Sequence, residues 1–255
     1  NVADESGSSI RGVSATLVSV KKKDGTGLNL MTSGGAISSS VLAPAGYGNG
    51  LNDSMEFLFQ ITGLGADFLL NKVKMDVQAV TGNGGVQSKN VHRDFTFSVK
   101  TGATAETLTD FASVSGDINK YPEHFSEWTL LGKGTGSGTL FVSVKLTKNV
   151  DLGCYASLRS VTLVKPYSVN LSSTATVNNV ATLSANERVE VSNDVSVCTV
   201  TVSGEKATLH ATSSNAVPAN QGVILRSSTA TSATLYAVNA TEEQTNTELT
   251  EFTNN

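Results

Sequence analysis

Apolar residues recur at every second position along most of this chain, and no window of useful length carries the i, i+3, i+4, i+7 spacing of an amphipathic helix. A strand places successive side chains on opposite faces, so this period points to β structure. Over residues 72–80, Val73, Met75, Val77 and Ala79 point one way while Lys72, Lys74, Asp76 and Gln78 point the other. One face meets a core and the other meets water. The same alternation predicts strands over residues 13–20, at Phe57-Phe59-Ile61, at Phe95-Phe97-Val99, at Leu140-Val142-Val144-Leu146 and around Val161-Leu163. Half-buried strands of this kind require an antiparallel sandwich or barrel.

Turn-forming clusters separate them: Lys23-Asp24-Gly25, residues 43–52 with Gly46, Gly48 and Gly50, residues 81–85, and residues 132–138. The last of these, Gly132-Lys133-Gly134-Thr135-Gly136-Ser137-Gly138, has the glycine content of a phosphate loop. Gly134, however, stands where Ser or Thr would follow the lysine, and no helix pattern comes after. It is expected to be a flexible hairpin connection before a strand that begins at Thr139. Around Val164-Lys165-Pro166-Tyr167 the texture changes, with aromatics almost gone and Val, Thr, Ser and Ala dominant. A domain boundary is predicted there, dividing 1–165 from 166–255.

The second part predicts short strands at Val189-Val191, residues 195–202, Ala207-Leu209-Ala211, residues 222–225 and residues 234–238. Val195 and Val197 are in one phase and Cys198, Val200 and Val202 in the other, so a one-residue bulge near Val197 is expected to keep the apolar face inward. The final residues, 241–255, are polar and are expected to fray unless something packs on Leu249 and Phe252.

Composition sets the class of partner. Charged residues are 16% of the chain, and Ser plus Thr about a quarter, a balance that suits exported β proteins. With Lys+Arg 18 against Asp+Glu 22 the net charge is -4, so there is no basic surplus to neutralise phosphates, and nucleic acid is not an expected partner. No run approaches the ~18 apolar residues needed to cross a bilayer. The chain starts at Asn1 without a basic, apolar signal segment or an initiating Met, as a trimmed or mature chain would. Two cysteines, Cys154 and Cys198, both inside alternating apolar segments, have no metal-ligand spacing. Each reads as a small buried apolar residue, with a single bridge between them left open.

His92, His124 and His210 stand in no nucleophile elbow or metal-binding pattern. His210 reads as a surface histidine of a strand and His92 as part of a polar loop. Asp53, Glu56, Asp110, Asp117, Glu123 and Glu127 sit in ordinary turn or edge contexts rather than as an evident hydrolytic pair. No enzyme activity, cofactor or metal is expected. The strongest binding candidate is Tyr121-Pro122-Glu123-His124-Phe125-Ser126-Glu127-Trp128. Aromatic faces cover the C–H side of a pyranose, while acids and imidazole hydrogen-bond its hydroxyls. Tyr121, His124 and Trp128 are therefore the candidate ligand-binding residues, and a core position for Trp128 stays open beside that role. Tyr47, between Gly46 and Gly48, is a second candidate exposed aromatic.

The segment Ala216-Val217-Pro218-Ala219-Asn220-Gln221-Gly222-Val223-Ile224-Leu225-Arg226, followed by Ala233-Thr234-Leu235-Tyr236, resembles an I-P-A-x-x-G-V-I-L-K signature found near the C-termini of exported Bacteroidetes proteins. In it, Pro218 and Gly222 are expected to shape the turn that delivers Val223 and Leu225 into a core strand. The first part, with residues 70–80 leading through a glycine-rich turn to Phe95-Thr96-Phe97-Ser98-Val99, then a late strand over 140–146 and a closing strand Leu158-Arg159-Ser160-Val161-Thr162-Leu163, resembles, more weakly, the jelly-roll or galactose-binding-like modules that precede such domains. The resemblance implies an all-β chain: a jelly-roll β-sandwich over 1–165, then a small antiparallel β domain over 166–255 whose polar end continues into further strands in longer proteins. It also implies a secreted or cell-surface, non-catalytic module whose partner is a glycan, a cell-surface polysaccharide or a protein. Carbohydrate binding leads, with a structural or adhesive role as the alternative.

Overall fold

The computed structural model describes residues 2–22, 24–27, 54–81, 93–118, 126–148, 154–173 and 179–239, and all their regular secondary structure is β. The chain divides into two compact units, Asn1–Lys165 and Pro166–Asn255.

In the first unit the strands are β1 (Val2–Ala3), β2 (Ser14–Lys22), β3 (Ser54–Thr62), β4 (Phe68–Thr81), β5 (Arg93–Gly102), β6 (Thr109–Ile118), β7 (Ser126–Gly136), β8 (Thr139–Lys148) and β9 (Cys154–Val164). They form two sheets, ordered β1-β9-β4-β7 and β2-β3-β8-β5-β6. From β3 onward nearly every connection changes sheet, the β5–β6 hairpin excepted, which is how a jelly roll wraps its core. The alternation drives this packing. Val73, Met75 and Val77 from one sheet, and Phe57, Phe97, Leu140 and Val144 from the other, are wholly buried in one cluster.

The glycine-rich segment is not a flexible connection. Gly132, Gly134 and Gly136 lie inside β7, and only Ser137-Gly138 turns the chain into β8. The three glycines share one face because they are two residues apart, and each makes room for a neighbour. A Cβ on Gly132 would stand 2.6 Å from the Phe111 carbonyl oxygen, one on Gly134 3.4 Å from Phe111 and Leu70, and one on Gly136 3.3 Å from Leu64 and Leu140. Opposite them the β4–β7 register slips by one residue. Asn71, fully buried there, donates its Nδ2–H to the Gly132 carbonyl at 3.1 Å.

The second unit holds β10 (Tyr167–Asn170), β11 (Asn179–Ser184), β12 (Val189–Val191), β13 (Ser196–Ser203), β14 (Lys206–Ala211), β15 (Ala216–Val217), β16 (Gly222–Ser227) and β17 (Ser232–Ala237). Two sheets, β10-β17-β12-β15 and β11-β16-β13-β14, close on a core of Val189, Val191, Val197, Val217, Val223, Leu225 and Leu235. The bulge expected near Val197 is absent. The ladder with β16 runs through Val197 and Cys198 in unbroken register, and the ladder with β14 continues unbroken from Cys198 to Ser203. Val197 pairs with Leu225 on the core face, so Cys198, paired with Ile224 and Ala211, lies on the opposite face. Val200 and Val202 follow it there.

Candidate functional site

Of the three residues singled out for ligand binding, Tyr121 and His124 lie outside the described residues, as do Tyr47 and His92. Trp128 is described. It is the third residue of β7, points to the same side as the buried Leu130, and is half-buried against the core. Its ring centroid is 4.8 Å from that of Phe97, with the planes at 49°. A Cβ on Gly116 of β6 would stand 2.8 Å from Trp128 Cη2. The indole thus lies over the seam between β6 and β7. Phe111, the extra residue where the β5–β6 register slips between Val99 and Lys100, covers the same seam beside Gly132 and Gly134.

At the opposite seam, between β2 and β9, no such aromatic lid is found among the described residues. A cavity of about 370 Å³ lies there, lined by Leu17, Phe59, Ile61, Val142, Val161 and Leu163 among others, with Arg159 and Ser160 at its polar side. The inner-face side chains are partly wet: Leu17, Phe59 and Val161 are half-buried, and Ala15 is exposed. Both bordering strands break register at this place. On β2 the slip between Leu17 and Ser19 leaves Val18 as an extra, exposed residue. On β9 the slip opposite Asp76 and Val77 leaves Arg159 as the extra residue between Leu158 and Ser160. Bulges twist an edge strand and re-aim the extra side chain. Ser160 donates its hydroxyl to Asp76 Oδ2 at 2.9 Å.

In the second unit the β13–β14 hairpin reaches past the core. Every residue of 201–208 is exposed. Val200 pairs with Leu209 and Val202 with Ala207, which puts an apolar row on one face, and Val202 is 69% exposed. Thr199 with His210, Thr201 with Thr208 and Ser203 with Lys206 make the other face polar. His210 is exposed, as expected, with Nε2 2.8 Å from Thr201 Oγ1. At the base of the apolar row Cys198 is a buried free thiol. Burial pushes its pKa up, opposed by the nearby Arg226 cation.

The Pro218-to-Gly222 turn is built differently from expectation. Its left-handed residue is Asn220, at φ 60°, whose N–H donates to the Ala185 carbonyl at 2.6 Å. Gly222 is already the first residue of β16, paired with Ser184, and a Cβ there would meet nothing within 4 Å. Asn is the non-glycine residue that best tolerates this conformation.

Among the described residues no three His, Cys, Asp or Glu side chains gather as a metal site, and no helix is long and apolar enough to cross a membrane. No protein-family model matches the chain, and no curated protein matches it.

Proposed function

We propose that this chain is a non-catalytic module of an exported or cell-surface protein, and that it acts as a structural or adhesive element by adding a strand of a partner protein to β14. The observation that carries this reading is the overhanging hairpin. β14 is the last strand of its sheet, pairs with β13 in regular register along its whole length, and bears an apolar row that the unit's own core does not use. An edge of this kind is a template for strand addition, in which main-chain hydrogen bonds give affinity and alternate side chains give specificity. Apolar residues of the partner strand would align with Ala207 and Leu209, and acidic ones with Lys206.

Carbohydrate binding is the weaker reading, because the described member of its aromatic set, Trp128, is engaged with Phe97 and Gly116. A synthetic peptide with the sequence of residues 196–203, an alternating strand of this chain's own, tests the proposal on the open edge of β14. Offered to the intact chain, it should slow amide hydrogen exchange in Lys206–Ala211. The double substitution Val202→Asp with Leu209→Asp should abolish that protection while β12 and β16 remain protected. Unchanged exchange in β14 at saturating peptide, or saturable binding on a glycan array that survives the double substitution, would overturn the adhesive reading.

A further inference from the structure

We infer that the strand added to β14 is β14 of a second copy of this chain, the two joining edge to edge about a two-fold axis through Leu209. This rests on the strand-addition reading above and names the partner. Among the described residues, β14 is the sheet edge best fitted to a new ladder. β2 and β6 are bulged at Val18 and Phe111, and β7 breaks register against β4. β1 and β15 have two residues each and β10 has four. β11 is regular, but Ser172 already lies against it, exchanging main-chain hydrogen bonds with Val180 at 2.8 and 3.0 Å. β14 has six paired residues with no bulge and no proline, the devices that usually protect an edge.

The hairpin fixes which backbone groups are open. Ser203 and Lys206 flank the two-residue turn Gly204-Glu205, so they form a hydrogen-bonded pair, and every second pair beyond them does the same. Lys206, Thr208 and His210 therefore direct N–H and C=O at β13, while Ala207, Leu209 and Ala211 direct theirs at the open edge. An antiparallel partner must set its own outward-directed residues against these three, and β14 of a second copy can. With Leu209 opposite Leu209 and Ala207 opposite Ala211, all three pairs exchange main-chain hydrogen bonds. Two apolar rows then cross the axis unbroken. One runs Val200, Leu209, then the other copy's Leu209 and Val200; the next runs Val202, Ala207, then the other copy's Ala211 and Cys198. On the polar face Thr208 meets His210, and Lys206 meets Thr212 at the solvent end of the ladder. A slip of two residues would instead set Lys206 against His210, two basic side chains face to face. The two-fold pairing is isologous, so it closes at two copies.

Six residues a side make a small interface of the weak, transient class. Analytical ultracentrifugation of the intact chain should therefore show a monomer–dimer equilibrium between about 1 μM and about 1 mM. Leu209→Pro removes an outward N–H and no bond to β13, and should weaken the dimer at least about tenfold. Leu209→Cys should form a disulfide-linked dimer on oxidation, because paired Cα atoms there lie about 5.5 Å apart. Ala207→Cys should not, since the two thiols would be offset by roughly 14 Å along the strands; the parent chain controls for Cys154 and Cys198. A chain that stays monomeric throughout, while the peptide of residues 196–203 still protects Lys206–Ala211 in dilute chain, overturns the second copy and leaves strand addition standing. Monomer with no protection by peptide overturns both. A dimer that Leu209→Pro leaves intact, or that Ala207→Cys cross-links as readily as Leu209→Cys, overturns the pairing through this edge.

Discussion

The packing of Trp128 against Phe97 and Gly116 fixes what should happen when either side of that contact is changed. Fully burying a Trp and then cutting it to Ala costs about 3–5 kcal/mol. Trp128 is half-buried, so Trp128→Ala should cost about 2.5 kcal/mol, including the loss of its contact with the Phe97 ring. Gly116→Ala acts from the opposite direction. Its new methyl would stand 2.8 Å from Cη2, and the indole, held by Phe97, can yield only by lifting off the core. Overpacking of this sort costs about 1–3 kcal/mol, less roughly 0.5–1 kcal/mol that Ala gains over Gly in a strand, for a net loss near 1 kcal/mol.

With Trp128 already removed the methyl has space, and only the strand gain remains. The double variant should then be about 2 kcal/mol less stable than the parent, where adding the single effects gives about 3.5, a coupling of about 1.5 kcal/mol. Urea denaturation followed by circular dichroism, fitted with separate transitions for the two units, measures all four corners of the cycle. Additivity within ~0.5 kcal/mol, or a Trp128→Ala cost below ~0.5 kcal/mol, would refute the packing role and return the indole to the surface, where it could serve a ligand.

Two further outcomes follow from local geometry. Because Asn220 takes the left-handed conformation and Gly222 does not need to, Asn220→Val should cost about 1–2 kcal/mol, while Asn220→Gly and Gly222→Ala stay within about 0.5 kcal/mol by the same denaturation assay. Asp4 accepts hydrogen bonds from the hydroxyl of Ser6 and from the N–H groups of Ser6 and Ser8, chiefly the Ser6 hydroxyl, which hold its pKa below the usual carboxylate range. Its folded pKa is depressed, so the turn it organises is intact above the unfolded carboxylate pKa and loosens as the pH falls through the lower folded value. A carboxyl-carbon NMR titration should place the Asp4 midpoint below that of an unfolded peptide containing the same residues, and a midpoint at or above the peptide value would refute this.

The strands that could be read from sequence are those where large apolar residues alternate with polar ones. β3, β4, β5 and β8 each carry at least three such residues that end wholly or largely buried. β6, β11 and the glycine-rich half of β7 escape the same reading for different reasons. In β7 the inward positions beyond Leu130 are Gly132, Gly134 and Gly136, so its period of two is written in glycine, which has no hydropathy to reveal a face. In β6 the alternation is interrupted by the extra residue Phe111, and its partner across the seam faces Gly116 rather than a large side chain. β11 offers only Ala181 and Leu183 to the core. The two seams were therefore invisible, since what distinguishes them is which glycines sit opposite which aromatics across strands far apart in the chain.

The phase change in β13 shows how a sequence signal can be correctly detected and still resolved the wrong way. A strand whose apolar residues switch sides has two physical solutions: insert a bulge and keep one face inward, or run straight and turn the second set outward. A bulge is worth its cost only if a core is available to receive the redirected side chains. Beyond Cys198 there is none, because residues 201–208 have left the facing sheet and are exposed on both sides. The straight ladder keeps its hydrogen bonds from Cys198↔Ala211 to Ser203↔Lys206, and the apolar row of Val200, Val202 and Leu209 faces outward as a consequence. An overhanging hairpin needs neither an apolar row nor a regular open edge for its own unit's stability. That this one has both, in a unit that closes its core without them, is the physical reason for assigning the contact to a partner strand.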